Sequence, residues 1–186
     1  MSLADRLGAV SLAILVGACA NSVTTGHTYR HPAARNFAQG VMVSGPLLIE
    51  VRGDPYAVER AERDAAVLAA TTRAFSWNAR PRLTTDPDAA GSRDLRLVMG
   101  FNAGGGGGRG QCLGRSEGGE PLPEGAVDLQ ATLCDADVPL SNAYGRLPQS
   151  MGLEDPAFAN LIWLVVHEAF PREMQRREGG MMLIMD

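Results

Sequence analysis

Histidine is the residue best suited to acid–base or metal chemistry, and this chain has three of them. His167 and Glu168 begin the His-Glu-x-x-His motif of zinc proteases, but Pro171 stands where the second His is required. His27 and His31 have the spacing of a helical metal-binding pair, although the Thr, Tyr and Pro residues around them disfavour a helix. The sequence therefore predicts no metal ligand and no cofactor.

Acidic pairs and serines do not complete a catalytic set either. Asp86 with Asp88, and Asp135 with Asp137, supply too few oxygen ligands for a known calcium loop. Aspartate is also common in turns, and we interpret both pairs in that way. Ser150 and the other serines lack the sequence context of a nucleophile elbow. We therefore predict no catalytic residue and expect the protein not to be an enzyme.

The run Gly104 to Gly108, followed by Arg109 and Gly110, is the most unusual segment of the chain. A dinucleotide-binding glycine loop must open a helix, and a P-loop requires Gly-Lys-Ser/Thr. The chain has no Lys, because all 17 of its basic residues are Arg. Since glycines lose much backbone entropy when they become ordered, we predict a long, mobile hairpin excursion here rather than a phosphate site.

The composition bounds the classes of protein to which the chain can belong. Its 186 residues are enough for one domain. The net charge of −4 is opposite to the basic footprint of nucleic-acid-binding proteins, so no nucleic-acid partner is expected. No apolar run reaches the roughly 18 to 20 residues of an ordinary membrane-spanning helix.

The first twenty residues have the pattern of an export signal. Leu7 to Val16 is apolar apart from Gly8 and Ser11, which is the length of a signal-peptide core. The following Val16-Gly17-Ala18-Cys19 resembles the lipobox of bacterial lipoproteins. That resemblance implies cleavage before Cys19, lipid attachment to its thiol, and acylation of the new amino group. Because Ala20 rather than Asp follows, it also implies the outer membrane. An ordinary secretory signal, with Cys19 unmodified, is the alternative.

These patterns divide the chain into four parts. We predict a signal peptide at residues 1–18, a lipid-anchored flexible linker at 19–40, a single domain at 41–175 and a tail at 176–186. The linker prediction depends on the polar, non-periodic composition of that segment. The role of the apolar run Met181 to Met185 in the tail is left open.

Cys112 and Cys134 remain as a pair once Cys19 is assigned to lipid. The periplasm is oxidising, which favours a structural disulfide between them over two free thiols, and both possibilities stay open. A disulfide that closes a ring of about twenty residues stabilises the folded protein by about 3 kcal/mol, if it acts by restricting the unfolded chain. The close C-x-x-C spacing of redox-active pairs is absent.

Hydropathy patterns predict the elements of the domain. Alternating apolar residues indicate strands near 47–52, 95–101, 127–133 and 138–146, and a possible edge strand near Leu83. Asp54-Pro55 and Asp155-Pro156 each predict the start of a helix. In the first helix, Val58, Ala61, Ala65, Leu68, Ala69 and Thr72 form the predicted buried face, and Arg63 lies on the solvated face. The order β-α-β-β-(β)-α predicts an α+β fold: an antiparallel sheet of about three to five strands with two helices on one face.

This order resembles that of several small envelope lipoproteins, including the lipopolysaccharide-assembly lipoprotein that sits within an outer-membrane barrel. No motif carries the partner-binding residues of that protein onto this chain. The resemblance implies a non-enzymatic lipoprotein on the periplasmic face of the outer membrane, acting as an envelope assembly or accessory factor through contacts with another envelope protein. The alternative is a small periplasmic enzyme or ligand-binding protein with a site of Asp and His residues. An uncovered sheet edge favours the first, and a pocket with two groups of shifted pKa favours the second.

Overall fold

The fold is α+β, with three helices packed on one face of a six-stranded sheet and a fourth, short helix on the other face. The structure, a computed structural model, describes residues 22–104 and 107–171. In chain order the elements are β1 (Thr24–Arg30), α1 (Ala34–Ser44), β2 (Leu47–Arg52), α2 (Arg60–Ala74), β3 (Leu83–Thr84), β4 (Ser92–Phe101), α3 (Gly107–Cys112), β5 (Val127–Asp135), β6 (Val138–Leu147) and α4 (Pro156–Ala169). None of the helices in this part of the chain combines the length and apolar composition needed to span a bilayer.

The sheet is mixed, and the prediction of an antiparallel sheet of three to five strands with two helices is wrong. The strand order is β1-β6-β5-β4-β2-β3, and β2 pairs in parallel with both β3 and β4. The physical reason is that the crossover helix α2 returns the chain from β2 to β3 in the same direction. The loop after β3 then brings the chain to β4 on the other side of β2, again in parallel. The other strand pairs are antiparallel.

The prediction of a flexible linker at 19–40 is wrong for most of that segment. Strand β1 pairs antiparallel with β6, from Thr24 opposite Arg146 to Arg30 opposite Ser141. Helix α1 follows and buries Ala34, Ala38 and Met42 in the core at successive turns. The edge strand is mostly exposed, so its sequence lacks apolar alternation. Cys19, the signal peptide and the tail with Met181–Met185 lie outside the described residues.

The strands with clear alternation are confirmed. Strands β2, β4, β5 and β6 lie where the pattern predicts them, and β5 and β6 are joined by the turn at Asp135–Asp137. Leu83 begins the short edge strand behind Pro81. Helix α4 starts at Pro156, with the Asp155 side chain accepting a hydrogen bond from the Ala157 amide at 2.8 Å. One continuous core therefore lies between the sheet and the helices α1, α2 and α4.

Helix α2 starts later than Asp54-Pro55 predicts. The Asp54 carboxylate accepts a hydrogen bond from the Tyr56 amide at 3.0 Å, which closes a turn instead of capping a helix. The helix begins at Arg60, after a residue with non-helical backbone angles at Glu59.

The buried face of α2 also differs from the predicted one. The helix buries Arg63, Val67, Ala70, Thr71 and Ala74 rather than the stripe that contains Ala61, Ala65 and Leu68. Arg63, placed on the solvated face by the sequence pattern, is only 8% exposed. Its guanidinium donates to the Gly53 carbonyl at 2.8 Å and to the Asp64 carboxylate at 2.7 and 2.9 Å. A long side chain whose donors are satisfied can take a buried position that charge alone argues against.

We expect the Arg63→Ala variant to lose roughly 1 to 3 kcal/mol of unfolding free energy, because the Gly53 carbonyl and the Asp64 carboxylate lose their buried donor. The matched control is Arg60→Ala. Arg60 pairs with the same Asp64 at 3.6 Å, but its side chain is 84% exposed, so its loss is expected to cost less than about 0.5 kcal/mol. Urea unfolding of the two variants measures the difference, and equal effects would contradict the burial of Arg63.

Candidate functional site

The most elaborate polar arrangement lies on the sheet face opposite the three large helices. On β4, β5 and β6, residues that enter the core alternate with residues that point to this second face, as the pleat of a strand requires. The short helix α3 covers part of the face, and its Gln111 and Cys112 are buried against β4 and β5. We call α3 and residues 113–118 the cover segment.

A chain of hydrogen bonds joins β1, β6 and β5 to helix α3 of the cover segment. The Thr28 hydroxyl donates to the Asn142 side-chain oxygen at 2.7 Å, and the Asn142 amide donates to the Thr132 hydroxyl at 2.6 Å. The Thr132 hydroxyl donates to the Gln111 side-chain oxygen, and the Gln111 amide donates to the Gln130 carbonyl at 3.3 Å. Asn142, Thr132 and Gln111 are buried. Each donor in the series has an acceptor, so none of the donors' hydrogen bonds to water is lost without a replacement when the groups are buried. The network therefore fixes the position of α3 without destabilising the fold.

Two arginines hold the other side of the cover segment. Arg52 and Arg96 both pair with Glu50, at 2.5 Å and 3.0 Å. Arg52 also donates to the Gln111 carbonyl at 2.8 Å, and Arg96 donates to the Cys112 carbonyl at 2.7 Å. Carbonyl groups at the end of a helix have no intrahelical partner, so the two arginines supply the hydrogen-bond donors that the last carbonyls of α3 lack.

The disulfide pair is the predicted feature that this site contains. Cys112 in α3 and Cys134 in β5 are bonded, with their Cα atoms 5.5 Å apart. Both residues are buried and pack against Val98. Burial excludes solvent reductants from the sulfurs, which fits a structural bond better than a redox-active one. Cys19, the predicted lipidation residue, lies outside the described residues.

The prediction of a hairpin excursion at the glycine run is wrong for residues 107–112, which form α3. The segment is held because its glycines permit close contact. A Cβ on Gly108 would lie 3.1 Å from the Cβ of Asn142, and a Cβ on Gly100 would lie 2.5 Å from the side-chain nitrogen of Gln111. Gly108 therefore lets the backbone of α3 approach the Asn142 side chain on β6, and Gly100 leaves room on β4 for the Gln111 side chain. Residues 105 and 106 are not described.

A groove of about 630 Å³ lies beside the cover segment. Its walls include the half-exposed ring of Tyr144, Leu122 and the exposed Asp128–Arg146 ion pair. No histidine lines it among the described residues. The groove offers aromatic and apolar surface with a few polar groups, which suits binding rather than acid–base chemistry.

A second polar cluster joins Tyr56, Ser150 and Asp155 on the wall of a cavity of about 670 Å³. The Tyr56 hydroxyl donates to the Ser150 hydroxyl oxygen at 2.7 Å, and Ser150 donates to the Asp155 carboxylate at 3.1 Å. Burial raises the pKa of the Tyr56 hydroxyl. Hydrogen bonds from the Met151 and Ala157 amides lower the pKa of the Asp155 carboxyl.

This cluster meets the criterion of two groups with shifted pKa in one cavity, but its bonds are those of a helix cap. Asp155 accepts from two backbone amides and one hydroxyl, so its carboxylate is committed to the start of α4. Asp155-Pro156 predicts this cap from the sequence, whereas nothing in the sequence pattern predicts that Tyr56 joins it.

The Asp155→Ala variant is expected to lose about 1 kcal/mol of unfolding free energy near neutral pH, which is typical for removal of an N-cap. The pKa of Asp155 is lower in the folded protein than its usual 3.8. Its stabilisation is therefore fully present above the unfolded pKa and is lost as the pH falls through the folded pKa. Urea unfolding measures the free energy of unfolding of the variant and of the parent protein at about pH 7 and about pH 3. The difference between the two proteins should be smaller at the lower pH. A difference that stays constant would contradict the cap.

The three histidines are not brought together. The Nδ1 atom of His27 lies 3.1 Å from a Glu168 carboxylate oxygen, and Arg30 pairs with the same oxygen at 3.2 Å. His31 accepts a hydrogen bond from the Ala33 amide, and the ring of His167 stacks on Trp163 with centroids 4.0 Å apart. Within residues 22–104 and 107–171 no group of three or more potential metal-ligating side chains occurs.

The acidic pairs have the turn geometry that the sequence predicts. The Asp86 carboxylate accepts a hydrogen bond from the Asp88 amide at 2.9 Å, and Asp88 pairs with Arg93. Asp135 and Asp137 flank the turn between β5 and β6. The Asp86 and Asp88 carboxylates are therefore engaged in local structure.

One edge of the sheet is uncovered in the described part of the chain. Strand β1 is the terminal strand, and no other described strand pairs with its outer edge. Its residues are mostly exposed, with Tyr29 51% exposed. A register shift between His27 and Tyr29 interrupts the regular pairing with β6. Such shifts shorten the stretch of edge that a further strand can use.

Comparison with known proteins places the chain in no family. No family description and no curated protein matches the sequence. Among solved structures, the chain is similar to a PelC dodecamer from Paraburkholderia phytofirmans, with 16% sequence identity and a TM-score of 0.41. The match covers 81% of this chain and 100% of the PelC chain.

Proposed function

We propose that this protein is a non-enzymatic lipoprotein, anchored through Cys19 on the periplasmic face of the outer membrane, which acts as an envelope assembly or accessory factor through contacts with another protein. The lipobox resemblance at residues 16–19 supports the anchor. The buried bond between Cys112 and Cys134 supports an oxidising compartment.

The open edge of β1 is the observation that carries the proposed mode of action. An extended segment of a partner can add to an exposed sheet edge through backbone hydrogen bonds. The strand is held in place for this role by its pairing with β6 and by the contacts of His27 and Arg30 with Glu168. The register shift after His27 leaves Thr24–His27 as the regular stretch, so we expect a short added strand.

The polar clusters support binding over catalysis. The donors and acceptors in the chain from Thr28 to Gln111 bond to one another, and those of the Tyr56 cluster cap a helix. A general base or nucleophile needs a free group within reach of a substrate. Neither cluster provides one, which favours the non-enzymatic proposal.

Site-specific photocrosslinking in cells tests the edge. A photoreactive residue at Thr25, which is exposed on β1, is expected to give a discrete adduct with an envelope protein. The matched control places the same residue at Arg60, whose side chain is 84% exposed on α2. The Thr25 adduct should disappear in a Cys19→Ser background, because the protein then leaves the membrane. No adduct at Thr25, or the same adducts at both positions, would contradict the proposed use of the edge.

The second candidate function, binding of a small ligand, is favoured by the groove beside the cover segment. The ring of Tyr144 is half exposed there, and Leu122 adds apolar surface. Native mass spectrometry of the protein from the periplasm tests it. A small molecule that is retained by the parent protein and lost in Tyr144→Ala would favour this candidate.

A further inference from the structure

We propose that one pole of the sheet, with Met151 at its tip, rests on the zwitterionic lipid surface of the leaflet that holds the anchor. We call this the anchor pole; it consists of the start of β1 and the loops at residues 53–59, 102–104, 119–126 and 148–155. The inference depends on the proposed lipid anchor at Cys19 and specifies which surface of the domain that anchor brings to the membrane.

The short connection between Cys19 and the domain, residues 19–22, determines which pole lies near the membrane. Val23 already packs against the core, and β1 begins at Thr24. Only four residue steps separate Val23 from Cys19, and a fully extended chain covers at most about 14 Å in that number of steps. Strand β6 has ten residues, which corresponds to roughly 33 Å between the two poles of the sheet. Residues 19–22 therefore hold the start of β1 close to the lipid surface, and the opposite pole can reach that surface only if the strands lie flat on it.

Strand pairing shows which loops share that pole. Thr24 lies opposite Arg146 at the end of β6, and Leu147 lies opposite Val127 at the start of β5. The end of β4 pairs with the start of β5, and β2 ends beside β4. The loops that follow β2, β4 and β6 and the loop that precedes β5 are therefore brought together at the start of β1.

Met151 is the most exposed of the large apolar side chains described at this pole. It is 89% exposed, although its loop is held by hydrogen bonds from the Met151 amide to Asp155 at 2.9 Å and from the Ser150 amide to the Gly125 carbonyl at 2.9 Å. A fully exposed methionine on a fixed loop suits shallow insertion at a lipid interface. Val43 is 83% exposed but lies at the end of α1, just before the start of β2, at the opposite pole.

The charges at the anchor pole favour zwitterionic over anionic lipid. Glu120, Glu124 and Glu154 are exposed there. Arg146, the nearest cation on β6, is paired with Asp128 at 3.0 Å. Anionic headgroups would meet mainly carboxylates, so we expect weaker contact with a surface rich in phosphatidylglycerol than with phosphatidylcholine.

Fluorescence quenching by brominated lipid tests the contact in the full-length, lipidated protein. The Met151→Trp variant is inserted into phosphatidylcholine vesicles with brominated acyl chains, and Val43→Trp is the matched control. Quenching is measured relative to the parent protein, which contains Trp77 and Trp163. We expect additional quenching for Met151→Trp, none for Val43→Trp, and less quenching when phosphatidylglycerol is included.

Equal quenching of the two variants in phosphatidylcholine would overturn the proposed orientation. Stronger quenching with phosphatidylglycerol would overturn the zwitterionic preference. The intact mass of each preparation is measured first, because absence of lipid on Cys19 refutes the anchor itself, whereas lipid on Cys19 without quenching refutes only the contact. A Leu122→Trp variant provides a second reporter on the same pole, so the outcome does not depend on one substitution.

Discussion

The Cys19→Ser variant is expected to move from the membrane fraction to the soluble periplasmic fraction and to lose labelling by radioactive palmitate. The lipobox resemblance assigns both the thioether-linked lipid and the new amino-terminal acyl chain to this residue. Each buried methylene group contributes about 0.8 kcal/mol to membrane affinity, so removal of all the acyl chains eliminates the anchor rather than weakening it. Cell fractionation with palmitate labelling measures this change directly.

The matched control for this variant is the double substitution Cys112→Ser with Cys134→Ser. It also removes thiol chemistry, but it leaves the lipobox untouched, so membrane association and palmitate labelling should persist. Unchanged labelling of Cys19→Ser would show that the lipid is absent or attached elsewhere. That result would leave the ordinary secretory signal as the better explanation of the leader.

The second large effect is expected from removal of the disulfide. Replacing Cys112 and Cys134 together with Ala should lower the free energy of unfolding by about 3 kcal/mol, because the bond closes a loop of 22 residues in the unfolded chain. For a domain of this size, such a loss corresponds to a fall of roughly 10 °C in Tm. Thermal unfolding followed by circular dichroism measures it.

Loss of the disulfide should also destabilise the structure around helix α3. Helix α3 is held by the disulfide, by the bonds of Gln111 and by the arginines at its carbonyl end. In the double Ala variant, amide hydrogen exchange of Gly107–Cys112 should accelerate more than exchange of α4, which the bond does not touch. An unchanged Tm together with unchanged exchange in α3 would contradict a structural role for the disulfide.

The fold was predictable where one face of an element enters the core. Strands β4 and β5 alternate strictly, and Asp155-Pro156 combines a capping side chain with the residue preferred at the first helical position. Strand β1 gave no such pattern because most of its residues are exposed and no described strand pairs with its outer edge. The parallel pairing of β2 with β4 depends on the path that the chain takes through α2 and β3, and hydropathy does not encode that path.

The candidate site was predictable only through its cysteines. Thr132, Gln130 and Asn142 alternate with core residues, so they have the pattern of a solvated sheet face, but α3 buries two of them. Arg63 is the corresponding case in a helix. Its charge predicts a position in solvent, but its hydrogen bonds to Gly53 and Asp64 allow it to be buried. Gly100 and Gly108 carry the one further clue, because both occur where the cover segment approaches the sheet.

The mass of the native protein purified from membranes tests the central claim most directly, since it fixes the amino terminus and the modification of Cys19 together. We predict a chain that begins at Cys19, carries the mass of its acyl groups and enters the detergent phase on partitioning. A chain that begins at Met1, has the mass of the unmodified polypeptide and stays in the aqueous phase would contradict it.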